Sequence, residues 1–188
     1  MKKVVIGFLG TVLDRRGKEK RWENWRPSVA VCQHEDLLVD RFHLLCSRRD
    51  TALAEVVKAD IGAVSPETSV VIDYVEFKNP WDFEEVFAGL LDYSKHFNFS
   101  EDEEYLLHIT TGTHVTQICL FLLTEAGFFR GKLLQTGPGR QNSPPGSYEI
   151  IDLDLSRYDS IAKRFAVQTK DDISFLKSGI KTRNRHFN

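Results

Sequence analysis

The chain has 188 residues, 41% hydrophobic and 11% aromatic, with a formal net charge of −2 at neutral pH. That content supports one domain-sized core and excludes a disordered chain, and the near-neutral balance excludes a broadly basic surface for nucleic acid or membrane. No apolar run reaches the ~18 residues that a membrane span requires, so no membrane partner is expected.

The N-terminal segment MKKVVIGFLGTVLD is basic and then apolar. Asp14 breaks the apolar run and no small-residue cleavage site follows, so residues 3–9 read as a first strand rather than a signal peptide. In the loop that follows, 10–26, Arg15, Arg16, Lys18, Lys20, Arg21 and Arg26 are interleaved with Trp22 and Trp25. Such mixing of cations and aromatic rings suits phosphates and stacked bases. The plainer alternative is a solvated charged loop, diluted by Glu19 and Glu23, with its tryptophans packed on the domain or on a second subunit.

Further strand-like runs lie at 28–32, 41–46, 69–77, 105–109, 132–135 and 148–153. Between them, Ala52, Leu53, Val56 and Val57 mark a helix, and Phe83, Val86, Phe87, Leu90 and Leu91 mark another, with Asp82 and Glu85 spaced as a capping box after Pro80. A third helix carries Val115, Ile118, Cys119, Leu122, Leu123 and Ala126, and its pattern predicts near-complete burial. Alternation of strand and helix predicts an α/β fold: a Rossmann-like, mostly parallel sheet with helices on both faces. The stretch GPGRQNSPPG, 137–146, joins the last two strands as an antiparallel edge hairpin. From Ser156 the pattern is polar helix, with Ser156 and Asp159 as caps, and the tail 175–188 reads as a linker. The expected division is a domain of residues 1–155 and an extension of residues 156–188. Cys32, Cys46 and Cys119 are odd in number and sit in apolar runs, which implies reduced, buried thiols and a cytoplasmic location.

Ligands of open α/β sheets bind outside the carboxyl ends of the strands. Three loops are expected there: 10–26, 110–113, and 135–140, the last entered through Gln135 and Thr136. The 110–113 turn is the most informative. Gly112 permits a tight turn, Thr113 is a good N-cap, and the free N–H groups of a helix start suit a phosphate. A threonine-capped turn with no ligand is the bland reading, but Thr110, Thr111 and Thr113 offer more hydroxyls than a cap needs. His114, in the first helical turn, can bind phosphate or move a proton, and Gln117 shares the face of Thr113. The six histidines show no metal-ligand spacing with one another or with the cysteines. Neither a P-loop, a GxGxxG after the first strand, nor a GxSxG elbow occurs, so no metal or cofactor is expected.

Five segments carry a resemblance: VVIGFLGTVLD (4–14), RWENWRPSVAVCQHEDLLVDR (21–41), HITTGTHVTQICLFLLTEA (108–126), LLQTGPG (133–139) and FLKSGIKTRN (175–184). With them the chain resembles the N-terminal sensor domain of the RtcR family, transcriptional activators of bacterial RNA-repair operons. The resemblance implies a CARF domain, a Rossmann-like fold that pairs into homodimers and binds nucleotide signals at the shared interface. The wider class recognises cyclic oligoadenylates, and this branch is expected to respond to RNA ending in a 2′,3′-cyclic phosphate.

Carried onto this sequence, ligand contacts fall on Gly10 and Thr11 after the first strand, and on Thr110, Thr111, Gly112 and Thr113. His114 stands where many members carry Lys or Arg. Arg16, Arg21 and Arg26 would meet further phosphates and Trp22 or Trp25 would stack bases. The resemblance implies no catalytic activity for this chain. It also implies a longer protein, with an AAA+ ATPase acting on the alternative sigma factor and RNA polymerase and a module for enhancer DNA. The alternative is a metal-independent ring nuclease in which Thr113, His114 and a first-loop arginine hold a ribose 2′-OH in line with the next phosphate.

Overall fold

Val4, Val5 and Ile6, like Tyr105, Leu106 and Leu107, are apolar without alternation, the pattern of strands covered on both faces. In the computed structural model these two runs pair at the centre of the sheet, and the residues described are Met1–Asp152. The strands are β1 (Lys2–Phe8), β2 (Arg41–Cys46), β3 (Ser69–Tyr74), β4 (Glu103–His108), β5 (Lys132–Gly137) and β6 (Ser147–Ile151). Their spatial order is β3-β2-β1-β4-β5-β6, parallel throughout except for the antiparallel β5–β6 pair at one edge. The α/β, mostly parallel architecture with an antiparallel edge hairpin is therefore as the sequence implies.

Among the described residues four helices cover the sheet: α1 (Pro27–Ala30), α2 (Thr51–Val64), α3 (Phe83–His96) and α4 (His114–Glu125). On one face, Val5, Phe42, Leu44, Leu106 and Leu134 join Val29, Ala54, Val57 and Ile61 in one core cluster. Side chains alternate along a strand, so buried Ile6, Leu45, Leu107 and Leu133 point to the opposite face, where α3 and α4 pack together. Cys32, Cys46 and Cys119 are free and buried.

Two expectations are corrected. Residues 28–32 are not a strand: Pro27 opens α1 at its first turn, and a 3-10 turn, Val31–Gln33, continues it. Proline pre-sets a helical φ there, and a five-residue apolar run looks the same whether it is a buried strand or a buried helix. Nor is α4 wholly buried, since Ile118 is 50% and Leu122 39% exposed on its outer side. Only half of the expected capping box forms: the Asp82 carboxylate accepts from Glu85 N–H at 2.9 Å, but the Glu85 carboxylate accepts from Asn79 N–H at 3.1 Å in the preceding turn, because Asp82 N–H is already bonded to Asn79 O. The expected run of the last strand to 153, the boundary at 155 and the extension 156–188 lie outside the described residues.

Candidate functional site

β1 and β4 are neighbours, yet β1 continues towards α1 on one face and β4 into α4 on the other. Their outgoing loops diverge, which opens a crevice at the carboxyl ends of the strands, the place where such sheets bind ligands. The crevice has a volume of about 370 Å³. Leu9, Gly10, Thr11, Val12 and Leu13 line it after β1, and Thr110, Thr111, Gly112, Thr113 and Thr116 after β4. Ser47, Arg49 and Asp50 close it from β2, and Val75, Phe77, Pro80 and Trp81 from β3.

The two loops are held by short local bonds. Asp14 is buried, and its carboxylate accepts from Gly10 N–H at 2.7 Å, Ser28 Oγ at 2.7 Å and Ser28 N–H at 3.1 Å. Burial pushes this carboxyl up, against the pull of those bonds and of Arg26. A Cβ on Gly10 would stand 2.8 Å from that carboxylate and 3.1 Å from Thr111 Cγ2, so only glycine lets the loops approach this closely. Gly112 has φ +90°, the left-handed conformation that the tight turn into α4 requires.

The hydroxyls expected to hold phosphate are engaged within the fold. Thr111 Oγ1 donates to Phe8 O at 2.5 Å, and Thr113 Oγ1 to Pro80 O at 2.8 Å while accepting from Thr116 N–H at 3.1 Å. Thr110 Oγ1 accepts from Thr136 N–H at 2.7 Å and donates to Thr136 O at 3.3 Å. The turn's remaining donors are backbone: the N–H groups of His114 and Val115 meet no acceptor among the described residues. Thr113 is the N-cap, as its position implies. Behind the turn, buried His108 pairs through Nε2 with Thr136 Oγ1 at 2.9 Å, and burial lowers its pKa from 6.5 to about 4.

Of the residues singled out in the sequence, Gly10, Thr11, Thr110, Thr111, Gly112 and Thr113 meet in the crevice. His114 is exposed at the start of α4 and is not among the lining residues. Gln117 and Gln135 line a separate depression beside Ile118 and Phe121, and Thr136 is buried behind the turn. Arg16 is exposed outside the crevice.

Arg21, Trp22, Trp25 and Arg26 are elsewhere and do structural work. Arg21 donates to Asp60 from Nε at 2.8 Å and Nη2 at 3.1 Å, and Arg26, 2% exposed, donates to the same carboxylate at 2.7 Å. Both guanidinium groups lie over the Trp22 ring, 5.4 and 5.3 Å from its centroid, and Trp25 is buried. Asp60 sits ten residues into α2, about 15 Å along the helix from the crevice end. The crevice residues that sequence reasoning missed include Ser47, Arg49, Asp50, Pro80 and Trp81. Their only signal was position, just after β2 and β3.

Cys46 lines the crevice beside Ser47. Burial, followed by the nearby Asp50, Glu76 and Asp73 carboxylates, raises the Cys46 thiol to about 11. Among the described residues no group of three or more His, Cys, Asp or Glu side chains is placed to hold a metal, and no helix is long and apolar enough to cross a membrane.

Residues 1–179 match the family model described as RtcR, regulator of RNA terminal phosphate cyclase. The chain belongs to the RtcR family. It is 53% identical over its whole length to the transcriptional regulatory protein RtcR of Escherichia coli K12, of which it spans 36%. Among solved structures it is similar to Enterococcus italicus Csm6 bound to cyclic hexa-2′-fluoro-hexa-dAMP (TM-score 0.57, 12% identity, 93% of this chain and 47% of that one). It is also similar to Can2 of Sulfobacillus thermosulfidooxidans in complex with cyclic tetra-adenylate (TM-score 0.50, 15% identity, 83% and 40%). These two structures share the CARF-like fold of the chain.

Proposed function

We propose that this chain is the ligand-sensing part of a longer sigma-factor-dependent activator of RNA repair, and that it binds RNA ends carrying a 2′,3′-cyclic phosphate. The observation that carries this reading is the crevice between the Gly10 loop and the 110–113 turn. It combines an apolar interior with the free N–H groups and positive dipole end of α4, a pairing that suits a base joined to an anionic phosphate. Two solved structures that share the fold are complexes with cyclic hexa-2′-fluoro-hexa-dAMP and cyclic tetra-adenylate, which favours an oligonucleotide over an unrelated metabolite.

Phosphate would meet backbone donors rather than threonine hydroxyls. Two copies would pair through the outer side of α4, where Ile118 and Leu122 stand exposed beside the turn, so that the two crevices lie close together. Ligand would act by binding one arrangement of the pair better than another, and so control the ATPase of the full-length protein.

The test is binding of the purified chain to short RNAs that differ only in a 2′,3′-cyclic phosphate, 3′-phosphate or hydroxyl end, with cyclic tetra-adenylate alongside. The expected result is tightest binding of the cyclic-phosphate RNA, with affinity reduced at least about tenfold by Val12→Glu, which sets a carboxylate at the exposed crevice rim. Preference for cyclic tetra-adenylate, with fragments appearing on incubation, would establish the ring nuclease instead.

A further inference from the structure

Asp50 is an unusual carboxylate for an apolar crevice. Its side chain is only 14% exposed, and its one side-chain hydrogen bond among the described residues is long, from Arg49 Nε at 3.4 Å. Its contacts are two long ion pairs, Arg49 Nε at 3.4 Å on Oδ2 and Arg15 Nη2 at 3.6 Å on Oδ1. Both arginines are largely exposed, and pairs of that kind hold a carboxylate loosely. Although Asp50 precedes α2 at the N-cap position, its side chain makes no capping bond. A partly buried carboxylate held only by exposed arginines in a binding crevice can exchange them for donors of a ligand. Across the opening, Trp81 is 62% exposed beside Pro80 and offers a flat face at the rim.

We propose that the crevice reads a guanine base, with Asp50 accepting from its N1–H and N2–H₂ groups, Arg49 donating to O6, and Trp81 stacking on the ring. This rests on the reading of the crevice as a site for an RNA end. Guanine is the base whose pairing edge presents two adjacent donors, and only two adjacent donors satisfy both oxygens of one carboxylate. Adenine and cytosine set a lone-pair acceptor beside their amino group, and uracil flanks its single N–H with two carbonyls, so a carboxylate repels part of each edge. The exposed guanidinium of Arg49, already beside Asp50, completes the acceptor–donor–donor complement. The 370 Å³ volume is in the range of small-ligand sites, and the phosphate of the same nucleotide would reach the start of α4.

The experiment is calorimetric titration of the chain with the 2′,3′-cyclic monophosphates of guanosine, inosine, adenosine, cytidine and uridine. Guanosine is expected to bind at least about tenfold tighter than the other three standard bases and about tenfold tighter than inosine, which lacks only the N2 amino group. Asp50→Asn, the same shape with one acceptor replaced by a donor, should abolish the preference for guanosine. Trp81→Ala, at an exposed position, should weaken every nucleotide by about tenfold. A short RNA ending in guanosine cyclic phosphate and free GTP serve as competitors. Stronger competition by the RNA assigns the base to an RNA end, stronger competition by GTP to a free nucleotide, and either retains the guanine pocket. Equal binding of all bases, or a guanosine preference that survives in Asp50→Asn, overturns the guanine assignment and leaves the RNA-end site standing. Failure of every nucleotide, with RNA binding unaffected by Val12→Glu, overturns both.

Discussion

Asp60 accepts from two arginines while itself buried, and Arg26 is buried with it. Removing the acid leaves Arg26 charged, desolvated and uncompensated, which generally costs about 3–5 kcal/mol. Asp60→Ala is therefore expected to lower the stability of the chain by that amount in urea unfolding. Arg21→Ala, by contrast, should leave the salt dependence of RNA binding unchanged, because a guanidinium already paired with Asp60 releases no counterion on meeting phosphate. The sequence, with six cations among tryptophans, argued the opposite. Charge and ring content along a loop are legible in one dimension, but the partner that claims each charge, here 34 to 39 residues away, is not. The same holds for Thr111 and Thr113, whose hydroxyls are bonded to Phe8 and Pro80 across the fold. The glycine of the turn was legible because its requirement is local. A valine at Gly112 would face φ +90° and stand 3.2 Å from Thr116 Cβ, so it would strain the fold as well as block the crevice.

At the scale of elements, helices and strands with a local signature were found where expected. Asp82 and Glu85 announce α3, Thr113 announces α4, and the apolar centres of β1 and β4 announce strands buried on both faces. Segment 28–32 failed because its five residues carry no period long enough to separate helix from strand, and Pro27 was the better guide. α4 failed differently. Ile118 and Leu122 are apolar, and apolarity alone does not say whether the cover comes from the same chain. The proposed pairing through this face gives a direct expectation. The double substitution Ile118→Lys and Leu122→Lys should shift the chain from dimer to monomer in analytical ultracentrifugation, with its far-UV circular dichroism unchanged because both side chains stand exposed on the outer side of α4. A variant that remains dimeric moves the interface to another face.

The whole molecule carries a pH dependence set by His108. This imidazole is completely buried between β1 and β5 neighbours and stays neutral down to about pH 4, against 6.5 when exposed. A depressed histidine in the folded state means that the unfolded chain takes up the proton first. The contribution of His108 to stability is therefore full above pH 6.5, falls as pH drops from 6.5 towards 4, and is flat below. The loss is on the order of 3 kcal/mol at one pH unit per 1.36 kcal/mol. Unfolding measured at pH 7 and pH 4.5 should show a smaller loss for His108→Gln than for the parent chain. A parent and variant that lose equally would mean that another group sets the acid limb.

The antiparallel edge has a mechanical consequence. β6 begins at Ser147, opposite Gly137 on the crevice side, and ends at Ile151, opposite Leu133 near the start of β5. The chain thus leaves the sheet at the pole opposite the crevice, a run of five residues and about 17 Å. At the near pole, Trp25 N–H donates to Asn142 O at 2.7 Å, which moors the turn between β5 and β6 to the loop that follows β1. A ribbon tethered at one end and stiffened by its ladder behaves as a tiller. A rotation imposed on the mooring would therefore be carried along β6 to the far side of the sheet, since each residue of the strand is in register with β5.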